Sequence, residues 1–180
     1  MIRPRRSEDL EPCVAVLRDV HDADGYPMVW PADPASWLAG WDNLGAWVAE
    51  EGDAILGHVA LSRIDRARSG SPWREALAVP VERRAVVSRF FVSTRARGRG
   101  IGGALMARAE EHAAARGLHL VLDVATHNGE AIGFYERRGW RRVGTGELAL
   151  SAEPWKLDLV VFARDRGARR VPGPGRGEHP

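Results

Sequence analysis

A glycine-rich turn with three arginines is the segment of this sequence best suited to hold a ligand. It lies between an apolar run over 85–92 and a helical pattern over 100–116, and it reads Arg95-Ala96-Arg97-Gly98-Arg99-Gly100-Ile101-Gly102-Gly103. Glycine lets a backbone approach a ligand closely. A helix N-terminus presents unpaired N–H groups, and arginine side chains donate paired hydrogen bonds to phosphate oxygens. The turn therefore predicts a phosphate site rather than a loop with solvated arginines.

Two classes of phosphate ligand compete for this turn. The spacing Gly98-x-Gly100-x-x-Gly103 matches the dinucleotide fingerprint, and Asp123 on the next predicted strand stands where an acid would bind the ribose of NAD. However, residues 93–97 separate the strand from the first glycine, and too few strand–helix units follow for a complete dinucleotide domain. The other candidate ligand is coenzyme A.

Two motifs favour coenzyme A. The first is Arg97-x-x-Gly100-x-Gly102, directly after an apolar strand, and the second reads Asn128-Gly129-Glu130-Ala131-Ile132-Gly133-Phe134-Tyr135-Glu136-Arg137-Arg138-Gly139-Trp140. Together they resemble the motifs of the GNAT superfamily of acetyl-CoA-dependent N-acetyltransferases. The resemblance is specific because both motifs occur at the family's spacing and on the expected elements. It extends from residue 2 to about residue 164.

Hydrophobic periodicity and turn signals predict a chain of alternating strands and helices. The strands are predicted over 2–6, 46–50, 54–65, 85–92, 118–125, 140–148 and 155–164, and the helices over 7–21, 34–40, 100–116 and 129–138. A strand–helix–strand unit needs a parallel pair, whereas consecutive strands with short turns pair antiparallel. The predicted class is α+β, with a mixed, mostly antiparallel sheet of six to seven strands and about four flanking helices. The resemblance implies a splayed parallel strand pair at the cofactor site.

The resemblance implies that backbone groups make most of the cofactor contacts. The main chain of Phe90, Phe91 and Val92 would pair with the pantetheine arm, and the Val92 N–H would polarise the thioester carbonyl as an oxyanion donor. Tyr135 would line the cofactor site and act as the general acid that protonates the departing thiolate. Asn128 would cap its helix and touch the cofactor. The N–H groups that would cradle the pyrophosphate belong to Arg97, Gly98, Arg99, Gly100, Ile101, Gly102 and Gly103.

Three roles stay open on the residues alone. Tyr135 beside Phe134 is equally consistent with a core tyrosine, and Asn128 is consistent with a plain N-cap. The general base is unassigned, because Ser88 and Arg89 occupy the strand region where members of the family often carry a glutamate. The candidates to replace that glutamate are Glu82, Glu75, His127 and a chain of water molecules.

The segment over 19–62 is the candidate wall of the acceptor pocket, because the resemblance puts the loop between the first two helices there. It contains eight acidic residues, no Lys or Arg, and the aromatic residues Tyr26, Trp30, Trp37, Trp41 and Trp47. Acidic and aromatic groups together suit a cationic amine, although each tryptophan could equally pack in the core. We therefore expect charge reversal at Asp22 and Asp24 to raise the KM for the amine alone.

Composition sets the remaining expectations. The 180 residues, 44% of them apolar, predict one domain over 1–164, and the Gly/Pro/Arg-rich tail over 165–180 is expected to be disordered. Cys13 is the only cysteine and the six histidines show no ligand spacing, so no metal site is predicted. A net charge of +2 is too small to indicate a nucleic-acid partner. With no apolar run long enough to span a membrane and no signal segment, the expected compartment is cytoplasmic, and a homodimer stays open.

These observations predict an enzyme, specifically an acyltransferase. The reaction would move an acetyl group from acetyl-CoA to a primary amine of a small cationic acceptor by direct nucleophilic attack. The alternative is a non-catalytic acyl-CoA-binding or regulatory domain of the same fold, which the missing strand glutamate favours. The residues do not distinguish a small-molecule acceptor from a protein lysine or N-terminus.

Overall fold

The structure is a computed structural model that describes residues 1–40, 42–63, 79–149 and 156–164. Short 3₁₀ turns precede α1, β4 and α3, and the helices are α1 (Leu10–Asp24), α2 (Pro34–Ala39), α3 (Ile101–Ala115) and α4 (Gly129–Arg137). The strands are β1 (Ile2–Pro4), β2 (Asn43–Glu51), β3 (Ala54–Arg63), β4 (Arg84–Val92), β5 (His119–Ala125), β6 (Arg141–Ala149) and β7 (Lys156–Arg164).

The seven described strands form one sheet with the order β1-β2-β3-β4-β5-β7-β6. β4 and β5 run parallel, and the other described pairs of neighbours run antiparallel. α3 connects the two parallel strands, as a crossover connection requires. The predicted α+β class with a mixed, mostly antiparallel sheet is therefore confirmed.

Helices cover both faces of this sheet. On one face, Leu105 and Met106 of α3 and Tyr135 of α4 pack in a core with side chains from β2, β3, β4, β5 and β7. On the other face, Leu17 of α1 and Leu38 of α2 pack against β2, β3 and β4. Full burial of one such side chain stabilises the fold by about 1.5–3 kcal/mol relative to exposure, so both helical layers are held by their apolar faces.

The start of α1 differs from its predicted position. The sequence predicts an N-cap at Ser7, but α1 begins at Leu10, after a 3₁₀ turn. In that turn the Asp9 carboxylate accepts a hydrogen bond from the Arg6 N–H at 2.6 Å. Arg3 donates to the same carboxylate at 2.7 Å. Asp9 therefore satisfies the Arg6 N–H before the 3₁₀ turn, but its side chain makes no cap hydrogen bond to α1. No local pattern predicts that Arg3 of β1 lies beside it.

The other three helices lie close to their predicted positions. α2 begins with Pro34, and Asp33 accepts a hydrogen bond from the Ser36 N–H at 3.0 Å, as its cap prediction required. α3 and α4 each end within two residues of the predicted boundary, next to Gly117 and Gly139, which both have positive φ. These boundaries follow from local chemistry, so sequence could predict them.

Some predictions concern residues outside the described ranges. They include the polar loop over 66–73, Trp41, Glu75 and the tail over 165–180. Within the described ranges, α1 and α3 are the longest helices with 15 residues each. No helix there combines the length and the apolar character that crossing a membrane demands.

Candidate active site

The two parallel strands stay together for only a short distance. β4 and β5 pair through Arg84–His119, Ala85–Leu120 and Val86–Val121, and the described pairing stops there. β4 then continues beside β3 as far as Val92, and β5 continues beside β7 as far as Ala125. The C-terminal halves of β4 and β5 therefore border a gap, at the sheet position where the resemblance implies a splay.

The hydrogen-bond alternation of β4 decides which backbone groups face this gap. The Ser93 N–H donates to the Leu56 carbonyl at 2.8 Å, so Ser93 is in a hydrogen-bonded pair with β3. Neighbouring residues of an antiparallel pair alternate, and the N–H of Val92 therefore points away from β3 and into the gap. By the same rule Phe90 faces the gap, whereas Phe91, opposite His58, directs its main chain to β3. Phe91 is thus turned away from the pantetheine position that the resemblance implies for it.

A β-bulge interrupts β4 just before these residues. Between the pairs His58–Phe91 and Ala60–Ser88, two residues of β4 oppose one residue of β3. Arg89 in this bulge has a φ of +50°, which non-glycine residues rarely adopt. The extra residue brings Phe90 onto the same face of the sheet as α3.

Gly102 in the first turn of α3 fits closely against the end of β4. A methyl group on Gly102 would lie 3.4 Å from the Phe90 ring and 3.5 Å from Val92 Cγ2. The α3 backbone therefore comes close to the two residues whose N–H groups face the gap. A larger side chain at this position would push the helix N-terminus away from the strand.

The glycine-rich loop (residues 97–103) leads from β4 into α3 as predicted. Gly98 and Gly100 have φ values of +73° and +78°, which explains glycine at both positions. The first helical hydrogen bond runs from the Ala104 N–H to the Gly100 carbonyl at 3.0 Å. The N–H groups of Ile101, Gly102 and Gly103 precede it and have no acceptor within the helix. This end of α3 is suited to an anion, by its donors and its dipole.

Acidic side chains from other elements bind the two arginines of this loop. Arg97 donates two hydrogen bonds to Asp24 at the end of α1, one of them at 3.1 Å from Nη1 to Oδ1. Arg99 donates to Glu51, the last residue of β2, at 2.5 Å. The hydrogen bond from Arg99 lowers the pKa of Glu51. Both arginines are partly exposed, so a bound phosphate could exchange with either carboxylate.

Asp19, one turn earlier in α1, also binds the segment between β4 and the loop. Its carboxylate accepts from the Thr94 N–H at 3.0 Å and from the Thr94 hydroxyl at 2.9 Å. The Thr94 hydroxyl is the main reason that the pKa of Asp19 is lowered. Asp24 thus binds the glycine-rich loop, and Asp19 binds the segment that precedes it. The Asp24 carboxylate is bound to Arg97, and the expectation that Asp22 and Asp24 line an amine pocket stays a prediction.

Tyr135 lies in α4 on the side of the gap that faces α3. It is 6% exposed. Burial raises the pKa of its phenol, so the group is protonated at neutral pH. The rings of Phe90, Phe134, Trp140 and Phe162 surround it, with centroids 5.3–6.4 Å away. Tyr135 therefore packs in the core, and its ring also lies beside Phe90 of β4.

Asn128 caps α4, as the sequence predicted. Its Oδ1 accepts a hydrogen bond from the Ala131 N–H at 3.1 Å. The residue is exposed at the end of β5 where the gap is open. A contact between Asn128 and the cofactor stays a prediction.

Tyr26 and Asp123 are site residues whose roles sequence reasoning missed. The Tyr26 phenol lies near the Arg89 and Phe90 backbone, and burial raises its pKa. Asp123 on β5 is close enough to raise the pKa of both Tyr26 and Tyr135 further. The charge of Asp123 therefore acts on both phenols near the place where β4 and β5 separate. The sequence signals are Tyr26 in the aromatic segment and Asp123 at the spacing of a ribose ligand, and neither signal predicts that the two are close.

The two candidate bases that the structure describes, Glu82 and His127, lie at different places. Glu82 precedes β4, at the opposite end of the strand from Val92. His127 is exposed in the turn between β5 and α4. At the family's glutamate position, the Ser88 hydroxyl pairs with the Ser62 hydroxyl at 2.9 Å. Within the described residues, no group of three or more His, Cys, Asp or Glu side chains could hold a metal ion.

The aromatic residues of the predicted acceptor segment divide into two groups. Trp47 is buried in the core against α3, and Trp30 stacks under Arg18 at 3.6 Å from its ring centroid. Trp37 lies nearer the gap, with the Tyr26 ring at 6.5 Å and the Arg89 guanidinium at 5.4 Å. Of the described aromatic residues in this segment, Tyr26 and Trp37 are the two that border the bulge.

The sequence that forms this site matches a known protein family. The model of the Acetyltransferase (GNAT) family matches residues 16–140. This chain belongs to the GNAT family. The matched range contains β4, the glycine-rich loop and α4, and thus both motifs that carried the resemblance. As a GNAT chain it is a member of a family of enzymes that transfer acetyl groups and use acetyl-CoA.

Solved structures share the fold of this GNAT chain over nearly its whole length. An N-acetyltransferase from Staphylococcus aureus Mu50 is 23% identical with a TM-score of 0.69, covering 93% of this chain and 98% of that one. The ribosomal-protein-S18-alanine N-acetyltransferase from Escherichia coli is 16% identical with a TM-score of 0.65, covering 91% of each chain. The yncA protein from Salmonella typhimurium, with its cofactor acetyl-CoA, is 17% identical with a TM-score of 0.64, covering 96% of each. At these identities the likeness establishes the fold. No curated protein sequence matches the GNAT chain.

Proposed function

We propose that this protein transfers the acetyl group of acetyl-CoA to a primary amine of a small acceptor by direct attack. The observation that carries the proposal is the gap between β4 and β5. Backbone N–H groups of Phe90 and Val92 face this gap, and the N-terminus of α3 adjoins it. A thioester with a pyrophosphate at its other end matches that combination of donors.

The backbone would hold the cofactor in two places. The first-turn N–H groups of α3 and the glycine-rich loop would bind the pyrophosphate. The Val92 N–H would donate to the thioester carbonyl and stabilise the oxyanion that forms during attack. One preorganised donor of this kind lowers the barrier by about 3–4 kcal/mol. Phe90 would bind the pantetheine arm, and its backbone also lies within reach of Tyr26.

Tyr135 would supply the proton for the leaving group. The amine nitrogen forms a bond to the carbonyl carbon, the carbon–sulfur bond breaks, and the thiolate takes the phenol proton. Tyr135 then regains a proton from solvent. Burial favours the protonated phenol, so the acid is present in the right form before each turnover.

Asp123 would be the carboxylate that binds the acceptor amine. It stands across the gap from β4, which has Ser88 and Arg89 where a glutamate would otherwise serve. A carboxylate at that place attracts an ammonium group and can accept the proton that the amine loses. The Tyr26 and Trp37 rings add faces suited to a cation. We therefore retain a small cationic amine as the acceptor, with Asp123 in place of Asp22 and Asp24.

Release of CoA thiol tests this function. It is measured with acetyl-CoA and a panel of diamines, amino acids and peptides with a free N-terminus. Asp123→Asn should lower kcat/KM for the best amine at least tenfold and leave the KM for acetyl-CoA unchanged. Asp53→Asn is the matched control, because it removes the same charge in an exposed turn. An equal loss in both variants, or no loss in either, would remove Asp123 from the mechanism.

A non-catalytic acyl-CoA-binding domain is the second candidate, favoured by Ser88 and Arg89 at the usual glutamate position. Thermal unfolding separates it from the enzyme. A ligand at 100 times its Kd adds about 2.7 kcal/mol to the stability. Stabilisation by acetyl-CoA without thiol release across the whole panel would favour the binding domain. No stabilisation by acetyl-CoA would contradict both candidates.

A further inference from the structure

His58 on β3 is a fully buried polar side chain that the proposed reaction does not use. Its exposure is 0%, and its ring stacks on Phe91 with centroids 5.4 Å apart. Both ring nitrogens have partners. Nδ1 lies 2.7 Å from the Arg89 carbonyl oxygen, and Nε2 lies 3.2 Å from Nη1 of Arg5.

The partners of His58 define its protonation. A guanidinium can only donate, so Nε2 accepts from Arg5 and the proton of the neutral ring lies on Nδ1. Nδ1–H therefore donates to the Arg89 carbonyl. Burial lowers the pKa of His58 to about 3, so this arrangement persists over the physiological pH range.

Arg5, which donates to Nε2 of His58, also binds α2. Nη1 of Arg5 donates to the Leu38 carbonyl at 2.5 Å, and Nη2 donates to the Ala39 carbonyl at 3.3 Å. Both carbonyls belong to the last turn of α2, where Arg5 satisfies acceptors that the helix leaves open. Arg5 thus fixes Nε2 of His58 against a rigid element.

The carbonyl that His58 binds belongs to the bulge residue with positive φ. Arg89 at a φ of +50° is in a conformation that needs support from its surroundings. Without the bulge, the alternation of β4 would shift by one residue, and Phe90 and Val92 would exchange faces with Phe91. Their N–H groups would then point at β3 instead of the gap.

We propose that His58 is a positioning residue that holds the Arg89 carbonyl and thereby directs the Phe90 and Val92 N–H groups into the cofactor gap. The effect on cofactor binding rests on the proposed function. The effect on the backbone of β4 does not. His58 touches neither the cofactor position nor the acceptor position, and it acts through the bulge alone.

Two substitutions at His58 and one control test this role. His58→Asn keeps an N–H donor near the position of Nδ1, whereas His58→Leu removes it. Leu17→Ala is the control, because it creates a cavity in the same core without touching the bulge. We expect the Kd for acetyl-CoA to rise at least tenfold in His58→Leu and less than threefold in His58→Asn and Leu17→Ala. An unchanged Kd in His58→Leu, or equal defects in both His58 variants, would overturn the proposal.

Amide NMR shifts of Phe90 and Val92 provide a readout that needs no cofactor. In the ligand-free protein these two shifts should move in His58→Leu and stay near wild type in His58→Asn and Leu17→Ala. If the wild-type protein bound no acetyl-CoA, the proposed function would be contradicted. The comparison of amide shifts would still test the positioning role of His58. Unmoved shifts in a folded His58→Leu variant would refute the positioning role. If His58→Leu does not fold, shifts in His58→Asn that depart from wild type more than those in Leu17→Ala would refute it equally.

Discussion

Asp24 at the end of α1 and Arg97 in the glycine-rich loop form a two-point ion pair that joins the first helix to the candidate phosphate site. The Asp24 carboxylate accepts hydrogen bonds from Arg97 N–H groups that could otherwise donate to a pyrophosphate. Its negative charge also repels a phosphate. Under the proposed function, this pair links phosphate binding at the glycine-rich loop to α1, the helix that precedes the predicted acceptor segment.

Asp24→Asn should lower the KM for acetyl-CoA by about two- to fivefold. Partly exposed ion pairs contribute about 0.2–1 kcal/mol, which sets this modest size. Steady-state kinetics at low and high salt measure the effect, which should shrink at high salt. Asp22→Asn on the same helix removes an equal, exposed charge and should change little. A higher KM for acetyl-CoA in Asp24→Asn would mean instead that the carboxylate orients Arg97 for the phosphate.

Tyr135→Phe should reduce kcat about 100-fold and leave the KM for acetyl-CoA within twofold, since a positioned acid contributes about 10²–10⁴ in rate. The ring and its aromatic contacts remain, so the melting temperature should stay within about 2 °C of wild type. Thiol release and thermal unfolding of the same preparation check both statements. A kcat above half the wild-type value would leave Tyr135 a core residue only.

Gly57→Ala should weaken acetyl-CoA binding through the backbone of β4. A Cβ on Gly57 would lie 2.8 Å from the Phe91 carbonyl oxygen and 3.3 Å from Val92 Cα, so β4 must move. Overpacking of this kind costs about 1–3 kcal/mol of stability. Gly144→Ala is the control, because nothing lies within 4 Å of a Cβ at that position. Denaturant unfolding and calorimetric titration with acetyl-CoA should show losses in Gly57→Ala alone.

Stability should fall between pH 7 and pH 5 because of His58. Its pKa is about 3 in the folded protein, against about 6.5 in an unfolded chain, so the unfolded state binds a proton that the folded state excludes. At pH 5 one such group removes about 2 kcal/mol of the free energy of unfolding. Urea unfolding at both pH values measures this difference.

The control for the pH effect is His58→Asn, whose stability should change less over the same interval. His112, whose pKa burial also lowers, is present in both proteins, and its contribution cancels in the comparison. The carboxylates with lowered pKa, such as Asp9 and Glu50, lose their contribution below about pH 5, outside this interval. Equal pH dependence in both proteins would contradict the buried neutral histidine.

Sequence could predict the elements of the site whose causes are local. The limits of α3 and α4 follow from apolar periodicity and from glycines beside their ends. The glycine-rich loop was placed correctly because strand, glycines and helix are contiguous. The cap at Asn128 follows from the same kind of short-range chemistry.

The parts that sequence reasoning missed depend on register between distant segments. Nothing around Arg89 predicts a positive φ, because the bulge belongs to the pairing of β4 with β3, where the Arg89 carbonyl oxygen lies 2.7 Å from Nδ1 of His58. Asp123 and Tyr26 are nearly a hundred residues apart in the sequence, and only the fold brings the carboxylate near enough to raise the pKa of the phenol. Several acids of the segment 19–62 bind arginines of other elements, as Asp24 and Glu50 do, and the local charge pattern does not predict these pairs.

The three described residue pairs between β4 and β5 connect two parts of the sheet, β1–β4 and β5–β7–β6. Under the proposed function, the pantetheine arm lies along the unpaired edge of β4 and supplies contacts that a longer strand pair would have made. A ligand that binds the folded chain alone stabilises it by mass action. The lifetime of this protein in a cell would then follow the local supply of acetyl-CoA, with slower proteolysis when acetyl-CoA is abundant and faster turnover when it is scarce.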